Sequence, residues 1–219
     1  MVPRVSFVSS LPLRARLALE LCAVAAFAAL YVGVFASRPR ILDPLLAGMA
    51  VAAIALDARR SRGLWATAPG ASSAPLARAW AEMALFTAVA AGVLGAYAMV
   101  ASPPGEAAGR LGNWHLLPAI ILYLPWAWLQ QFVFQFYLLG RLLHVVPVVA
   151  AVALTAAAFS AVHFPRYPVM AATAVAGLVW VSSYRRHRRL APVAVSHAIL
   201  GPLLHYWVLG RDLLAGWLP

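Results

Sequence analysis

The stretch LLPAIILYLPWAWLQQFVFQFYLLGRLL, residues 116–143, contains a single charged residue. About 20 mostly apolar residues are enough for a helix to cross a bilayer. The rest of the chain has the same character, because 64% of its 219 residues are hydrophobic and only 11% are charged, whereas soluble domains carry about 25% charged residues. The composition excludes a soluble domain, a disordered chain and a disulfide scaffold. It predicts an all-α, polytopic membrane protein.

Seven mostly apolar stretches are bounded by charged or turn residues, so we expect a bundle of about seven transmembrane helices. Pro118 and Pro125 are expected to kink the stretch 116–143 or to divide it into two pieces, because proline removes a backbone donor and clashes with the preceding turn. The predicted spans are residues 17–35, 41–56, 77–100, 116–143, 148–164, 169–184 and 191–209.

The basic residues indicate the orientation of the chain. All 17 are arginine, against six acidic residues, which gives a formal net charge of +11. If the N-terminus is cytoplasmic, twelve arginines fall on the cytoplasmic side and five on the other, the bias that membrane proteins show. The twelve are Arg4, Arg14, Arg16, Arg59, Arg60, Arg62, Arg78, Arg141, Arg185, Arg186, Arg188 and Arg189, and the five are Arg38, Arg40, Arg110, Arg166 and Arg211. Because the arginines sit in short clusters beside apolar spans, we expect them to contact anionic lipid head groups. We expect membrane lipids as partners and no nucleic acid.

Polar side chains inside the spans point to a site, because a bilayer penalises them. Residues four positions apart share one face of a helix, so three of the spans present an inward polar face. We expect Gln130, Gln131, His163 and His197 to converge on one water-accessible pocket between the fourth, fifth and seventh spans. Counted at about 1.5 Å per residue, His163 would lie about 24 Å deep and His197 about 12 Å, so the fifth helix must tilt or end early. The three clusters consist of Gln130, Gln131 and Gln135 in the fourth span, Phe159 and His163 in the fifth, and His197, Gly201 and His205 in the seventh.

The order of these residues resembles the CPBP group of intramembrane peptidases. This group includes the type II CAAX prenyl endopeptidases and bacterial relatives linked to bacteriocin self-immunity and protein sorting. Its pattern is Glu-Glu-x-x-x-Arg, then Phe-x-x-x-His, then His-x-x-x-Asn or Asp, on separate helices. QQFVFQ at 130–135 stands at the first motif, FSAVH at 159–163 matches the second in full, and His197 opens the third. The resemblance covers about residues 116–209, and we divide the chain into N-terminal helices, 1–112, and a motif-bearing core, 113–219.

The resemblance implies endopeptidase action on a membrane-delivered peptide or a C-terminal sorting tail, at a bacterial inner membrane. In the family, the first-motif glutamate and the second-motif histidine activate a water, and the third motif stabilises the oxyanion. Here the glutamates are Gln130 and Gln131, the arginine is Gln135, and the asparagine is Gly201. An amide is not a useful general base. The loss of the arginine fits the loss of the carboxylates, because an unpaired buried cation is costly. We therefore expect the fold and the pocket with weak or no hydrolysis.

Other chemistries stay open on the sequence alone. Glu20 and Glu82 follow Arg16 and Arg78 by four residues, the spacing of interfacial ion pairs on one helix face. A zinc site built from His163, His197 and His205 has suitable ligand types but no carboxylate, and no cofactor is predicted. A nucleophile at Ser160 or Ser196 lacks the glycines of a nucleophile elbow.

Three rival functions also remain. They are an active peptidase that uses an unrecognised acid, a non-enzymatic immunity or assembly factor, and a small transporter.

Overall fold

The computed structural model of the chain describes residues 11–33, 48–49, 52–68, 75–103 and 105–215. These residues form helices and no strand, which confirms the all-α prediction. In chain order the helices are α1 (Leu13–Gly33), α2 (Ala58–Thr67), α3 (Leu76–Ala101), α4 (Glu106–Leu111), α5 (Leu116–Gln131), a π-helical segment (Phe132–Leu139), α6 (Gly140–Val145), α7 (Val148–Ala161), α8 (Tyr167–His187), α9 (Leu190–Leu203) and a second π-helical segment (Leu204–Val208).

The chain divides into two compact units. The first unit contains residues 1–69 and 133–155, and the second contains residues 70–132 and 156–219. In the first unit, α1 and α2 both pack against α6. In the second unit, α9 packs most extensively against α5 and next against α3. The division at residue 112 that the sequence suggested stays a prediction.

Helix α9 is the centre of the second unit. Nine of its 14 residues are buried, on all sides of the helix. A helix that is apolar all round is stable only when other elements surround it. Its polar residues Ser196 and His197 are therefore enclosed by protein.

Three helices are long and apolar enough to cross a membrane among the described residues. They are Leu76–Ala101, Leu116–Val145 and Tyr167–His187, and Val148–Ala161 is a shorter apolar helix. The figure of about seven spans is not confirmed, and most of the predicted span 41–56 lies outside the described residues. The seventh predicted span is a 14-residue α-helix that continues as a π-helical segment.

Two details of the spans differ from the sequence prediction. Pro125 lies inside the continuous helix α5, and the change of helix type comes later, at Phe132. Wide π-turns within helices are rare and often mark functional sites, and this one starts directly after Gln131. The fifth predicted span ends at Ala161 rather than at residue 164, so His163 lies in the turn after the helix.

Candidate functional site

The polar centre of the second unit is a contact between Gln131 and His197. Both side chains are buried, at 0% and 3% exposure, and Nε2 of Gln131 lies 3.1 Å from Nδ1 of His197. An amide nitrogen only donates, so Nδ1 accepts the hydrogen bond and the proton of the neutral ring is on Nε2. A carboxylate at position 131 would instead accept from Nδ1. The amide therefore makes His197 a hydrogen-bond donor toward any further partner.

Three aromatic rings fix the orientation of His197. Ring centroids of Trp180, Phe159 and Tyr123 lie 4.8, 5.3 and 5.6 Å from that of the histidine, the last two edge-on. Offset and edge-on pairs of this kind are favourable beyond their buried area. Trp180 is itself fixed by the hydrogen bond that its Nε1 donates to Ser196 Oγ over 3.0 Å. The imidazole is therefore held between apolar and neutral groups.

A cavity of about 780 Å³ opens beside this centre. Pockets of about 300–1,000 Å³ are typical of small-molecule sites. Most of the lining is apolar, from α3, α5 and α8, and no Asp or Glu occurs among the described residues that line it. Seven of the positions singled out in the sequence line the cavity or contact its lining: Gln130, Gln131, Phe159, His163, His197, Gly201 and His205. The structure brings these seven together, and Gln135 is not among them.

Two further polar features belong to the cavity. Oε1 of Gln130 is buried and has no hydrogen-bond partner among the described residues. Nδ1 of His205 donates to the carbonyl of Gly201 over 3.0 Å, which orients that ring in the cavity lining. His163, in the turn after α7, packs edge-on against Phe159 with 5.7 Å between the ring centroids.

Tyr123 occupies the space that a side chain at position 201, the third motif position, would need. A Cβ atom at Gly201 would lie 2.7 Å from Cε1 of Tyr123 and 3.2 Å from its Cζ. Contacts under 3.0 Å do not occur between real Cβ atoms and their neighbours. An asparagine at position 201, as in the family pattern, would require the ring of Tyr123 to move.

The hydroxyl groups of Ser160 and Ser196 are engaged in hydrogen bonds within the fold. Ser160 Oγ donates to the carbonyl of Met170 over 2.7 Å. Ser196 Oγ accepts from Trp180 and lies 2.7 Å from the hydroxyl oxygen of Thr87. Neither geometry places a histidine as the base of a serine nucleophile.

The predicted pair between Arg78 and Glu82 is wrong. Glu82 accepts from Arg186, and its other oxygen lies 2.8 Å from Nε2 of His187. Glu82 is near the start of α3, and Arg186 and His187 are in the last turn of α8. The helix dipole favours a carboxylate near a helix N-terminus and an arginine near a helix C-terminus, whereas a local pair four residues apart is worth only about 0.2–0.5 kcal/mol.

Asp212 organises the chain after the second π-helical segment. It lies 2.6 Å from Nδ1 of His115 and accepts from the Tyr206 hydroxyl, over 2.6 Å, and from the Leu214 amide, over 2.8 Å. Burial alone would raise the pKa of Asp212, but these hydrogen bonds together hold it well below its ordinary value. Because Leu213 and Leu214 line the cavity, Asp212 positions one of its walls.

The first unit holds a separate polar cluster around Arg141, which is fully buried. Its Nε donates to Glu20 over 2.6 Å, and its second terminal nitrogen pairs with Asp57. The guanidinium also lies 3.5 Å above the ring of Tyr137. The local prediction for Glu20 missed Arg141, which is 121 positions away in the chain. Gln135, the remaining motif position, is 1% exposed and belongs to this unit.

The donor set of the second unit does not fit a resident metal ion. No three His, Cys, Asp or Glu side chains group suitably among the described residues. Nδ1 of His197 is already engaged by an amide. Structural and catalytic zinc sites use at least three such ligands.

Sequence reasoning missed three residues at this site: Tyr123, Trp180 and Arg166. Tyr123 precedes Gln131 by eight residues with the small Ala127 between them, a spacing that places all three on one helix face. No sequence signal places Trp180 and Arg166 at this site, because their position depends on how α8 packs against its neighbours. Arg166 had been counted only as a topology residue.

The fold and the site define the class of protein: an all-helical integral membrane protein with a polar site enclosed between its helices. The comparison with family models gives a match over part of the chain. The model described as Type II CAAX prenyl endopeptidase Rce1-like matches residues 111–201, the segment that carries all three motifs. The match confirms the resemblance over this segment, which is similar to the CAAX-type peptidases. Neither the curated proteins nor the solved structures contain a match to it.

Proposed function

We propose that this protein keeps the binding site of a CAAX-type peptidase and does not hydrolyse what it binds. The expected ligand is a membrane-delivered peptide or C-terminal sorting tail. The observation that supports this most strongly is the amide of Gln131 beside Nδ1 of His197. At that position the family pattern has a carboxylate, and the amide oxygen or nitrogen cannot take a proton from water at neutral pH.

The acids elsewhere in the chain support the same conclusion, because each described one is engaged away from the cavity lining. Glu82 is held by Arg186 and His187, and Glu106 pairs with Arg110 over 2.8 Å. Asp212 is held by His115, Tyr206 and backbone. The remaining two described acids are Glu20 and Asp57 in the first unit, and Asp43 lies outside the described residues.

The location is part of the proposal. Twelve of the 17 arginines fall on one side of the predicted spans, which supports a cytoplasmic N-terminus. The family resemblance supports a bacterial inner membrane.

The test is a stepwise restoration of the family pattern. Purified protein in lipid nanodiscs is incubated with a fluorogenic membrane-anchored peptide, and turnover is measured for the unmodified chain and for each variant. We expect no turnover from the unmodified protein and little from Gln130→Glu with Gln131→Glu, because two like charges in a low dielectric share a proton.

The full variant adds Gln135→Arg, Gly201→Asn and Tyr123→Ala. The tyrosine must be removed because its ring occupies the space that a side chain at position 201 needs. One oxyanion donor is typically worth about 10²–10³ in rate, so the full variant should exceed the double variant by about that factor. His163→Ala in the full variant is the matched control and should abolish the gain. A full variant that folds and gains nothing argues against the motif assignment.

A further inference from the structure

The lining of the cavity includes one arginine and no acidic residue among the described residues. Arg166 lines it together with three histidines, His163, His197 and His205. In the family pattern two glutamates would bring negative charge to this region. With amides at those positions, the field inside the cavity favours an anion.

Arg166 is available to bind that anion. Its side chain is exposed, and it has no ion pair or hydrogen bond within the described part of the chain. It is the N-cap residue of the 21-residue helix α8. The positive end of that helix dipole adds to the attraction for an anion at the same rim. Nε2–H of His197 and the amide of Gln130 supply neutral donors within the same cavity.

The rest of the cavity indicates what must be attached to the anion. Its walls are side chains such as Phe86, Val93, Leu122 and Trp126, which carry almost no hydrogen-bonding groups toward the space. A peptide strand would bring one N–H and one C=O per residue, and burying such groups unpaired costs several kcal/mol in an apolar setting. An acyl or alkyl chain brings none. The apolar walls therefore suit a hydrocarbon chain.

We infer that this cavity binds a single-chain amphiphile with an anionic head, carboxylate or phosphate, whose head contacts Arg166 and whose chain fills the apolar walls. This inference rests on the cavity alone and goes beyond the proposed absence of hydrolysis. It does not require that a peptide tail also binds.

Brominated amphiphiles test it, because bromine quenches tryptophan on contact and Trp126 and Trp180 both line the cavity. The full chain in phosphatidylcholine nanodiscs is titrated with 11-bromoundecanoic acid, 11-bromoundecyl phosphate and the neutral 11-bromoundecanol. We expect saturable quenching by the two anions at concentrations where the alcohol gives only unsaturable, membrane-partition quenching. The tighter anion identifies the head group, a free fatty acid or a lipid phosphate.

Paired variants locate the ligand. Arg166→Gln should weaken both anions about tenfold, equivalent to about 1.4 kcal/mol, and should leave quenching by the alcohol unchanged. Arg211→Gln is the matched control, because Arg211 is exposed and does not line the cavity. Trp126→Phe should reduce the saturable quenching, whereas Trp128→Phe, on the same helix but outside the lining, should not.

Several results would overturn the inference. These are equal saturable binding of the alcohol, an anion affinity that Arg166→Gln leaves unchanged, or an equal loss with Arg211→Gln, which would reduce the effect to surface charge. Binding of a free-carboxylate tail peptide that the amphiphiles do not displace would assign the cavity to peptide instead. Arg166→Lys keeps the charge and should retain affinity within about threefold of the unmodified chain, which separates lost charge from lost folding.

Discussion

The close approach of Tyr123 to Gly201 can be tested by adding one methyl group. In Gly201→Ala the new Cβ would lie 2.7, 3.2 and 3.4 Å from three atoms of the tyrosine ring. Overpacking of this kind typically costs about 1–3 kcal/mol. Replacing glycine by alanine inside a helix contributes about 0.5–1 kcal/mol of stability in the other direction. We therefore expect Gly201→Ala to destabilise the protein by about 0.5–2 kcal/mol.

The sign of this effect should reverse when the ring is absent. In a Tyr123→Ala background the added methyl no longer meets the ring, so the helix-propensity gain dominates and Gly201→Ala should stabilise by up to about 1 kcal/mol. The assay is thermal unfolding of the detergent-solubilised protein for all four members of the double-mutant cycle. Gly92→Ala is the matched control, because nothing lies within 4 Å of a Cβ at that position of α3, and it should not destabilise in either background. Stabilisation by Gly201→Ala in the unmodified background, or the same shift in both backgrounds, would refute the packing argument.

Three further predictions concern polar groups outside the cavity centre. Arg141→Leu should reduce the free energy of unfolding by about 3 kcal/mol, because removing one partner of a buried ion pair leaves the carboxylates uncompensated; a loss under about 1 kcal/mol in denaturant unfolding would contradict this. Because the folded-state pKa of Asp212 is depressed, its stabilising contribution is present at neutral pH and is lost as the pH falls from about 4 toward the folded pKa. The melting temperature of Asp212→Asn should accordingly lie below that of the unmodified chain at pH 7 and approach it in acid, and a gap independent of pH would argue against the assignment. Glu82→Gln should cost about 1 kcal/mol in thermal unfolding and leave ligand binding unchanged; a loss of binding with folding intact would make Glu82 part of the site.

The sequence identified the site residues where one helix decides the geometry. His197 and Gly201 are four residues apart on α9, and both line the cavity. The same spacing did not bring Gln135 to the site, because the helix changes type at Phe132 and Gln135 belongs to the first unit. Hydropathy showed that each of these residues lies in an apolar stretch. The order of the motifs then related separate helices to one another. This is why the contact between Gln131 and His197 could be anticipated without coordinates.

Contacts between distant parts of the chain were not predictable in the same way. The local rule gave Arg78 as the partner of Glu82, but the structure pairs Glu82 with Arg186 and His187. Arg141 looked like an orientation signal at a helix end, and its burial against Glu20 depends on how α1 packs on α6. Hydropathy likewise gave seven apolar stretches but not where each helix ends.

The central claim is that the site binds without hydrolysing, and turnover by the unmodified protein tests it most directly. The reconstituted chain is incubated with a pool of membrane-anchored peptides bearing varied C-terminal tails, and intact-mass spectrometry follows every substrate for several hours. His197→Ala and His163→Ala serve as matched backgrounds. The account predicts no product above those two variants. Steady cleavage by the unmodified protein that both variants abolish would contradict it, because it would show that a water is activated here without a carboxylate at positions 130 and 131.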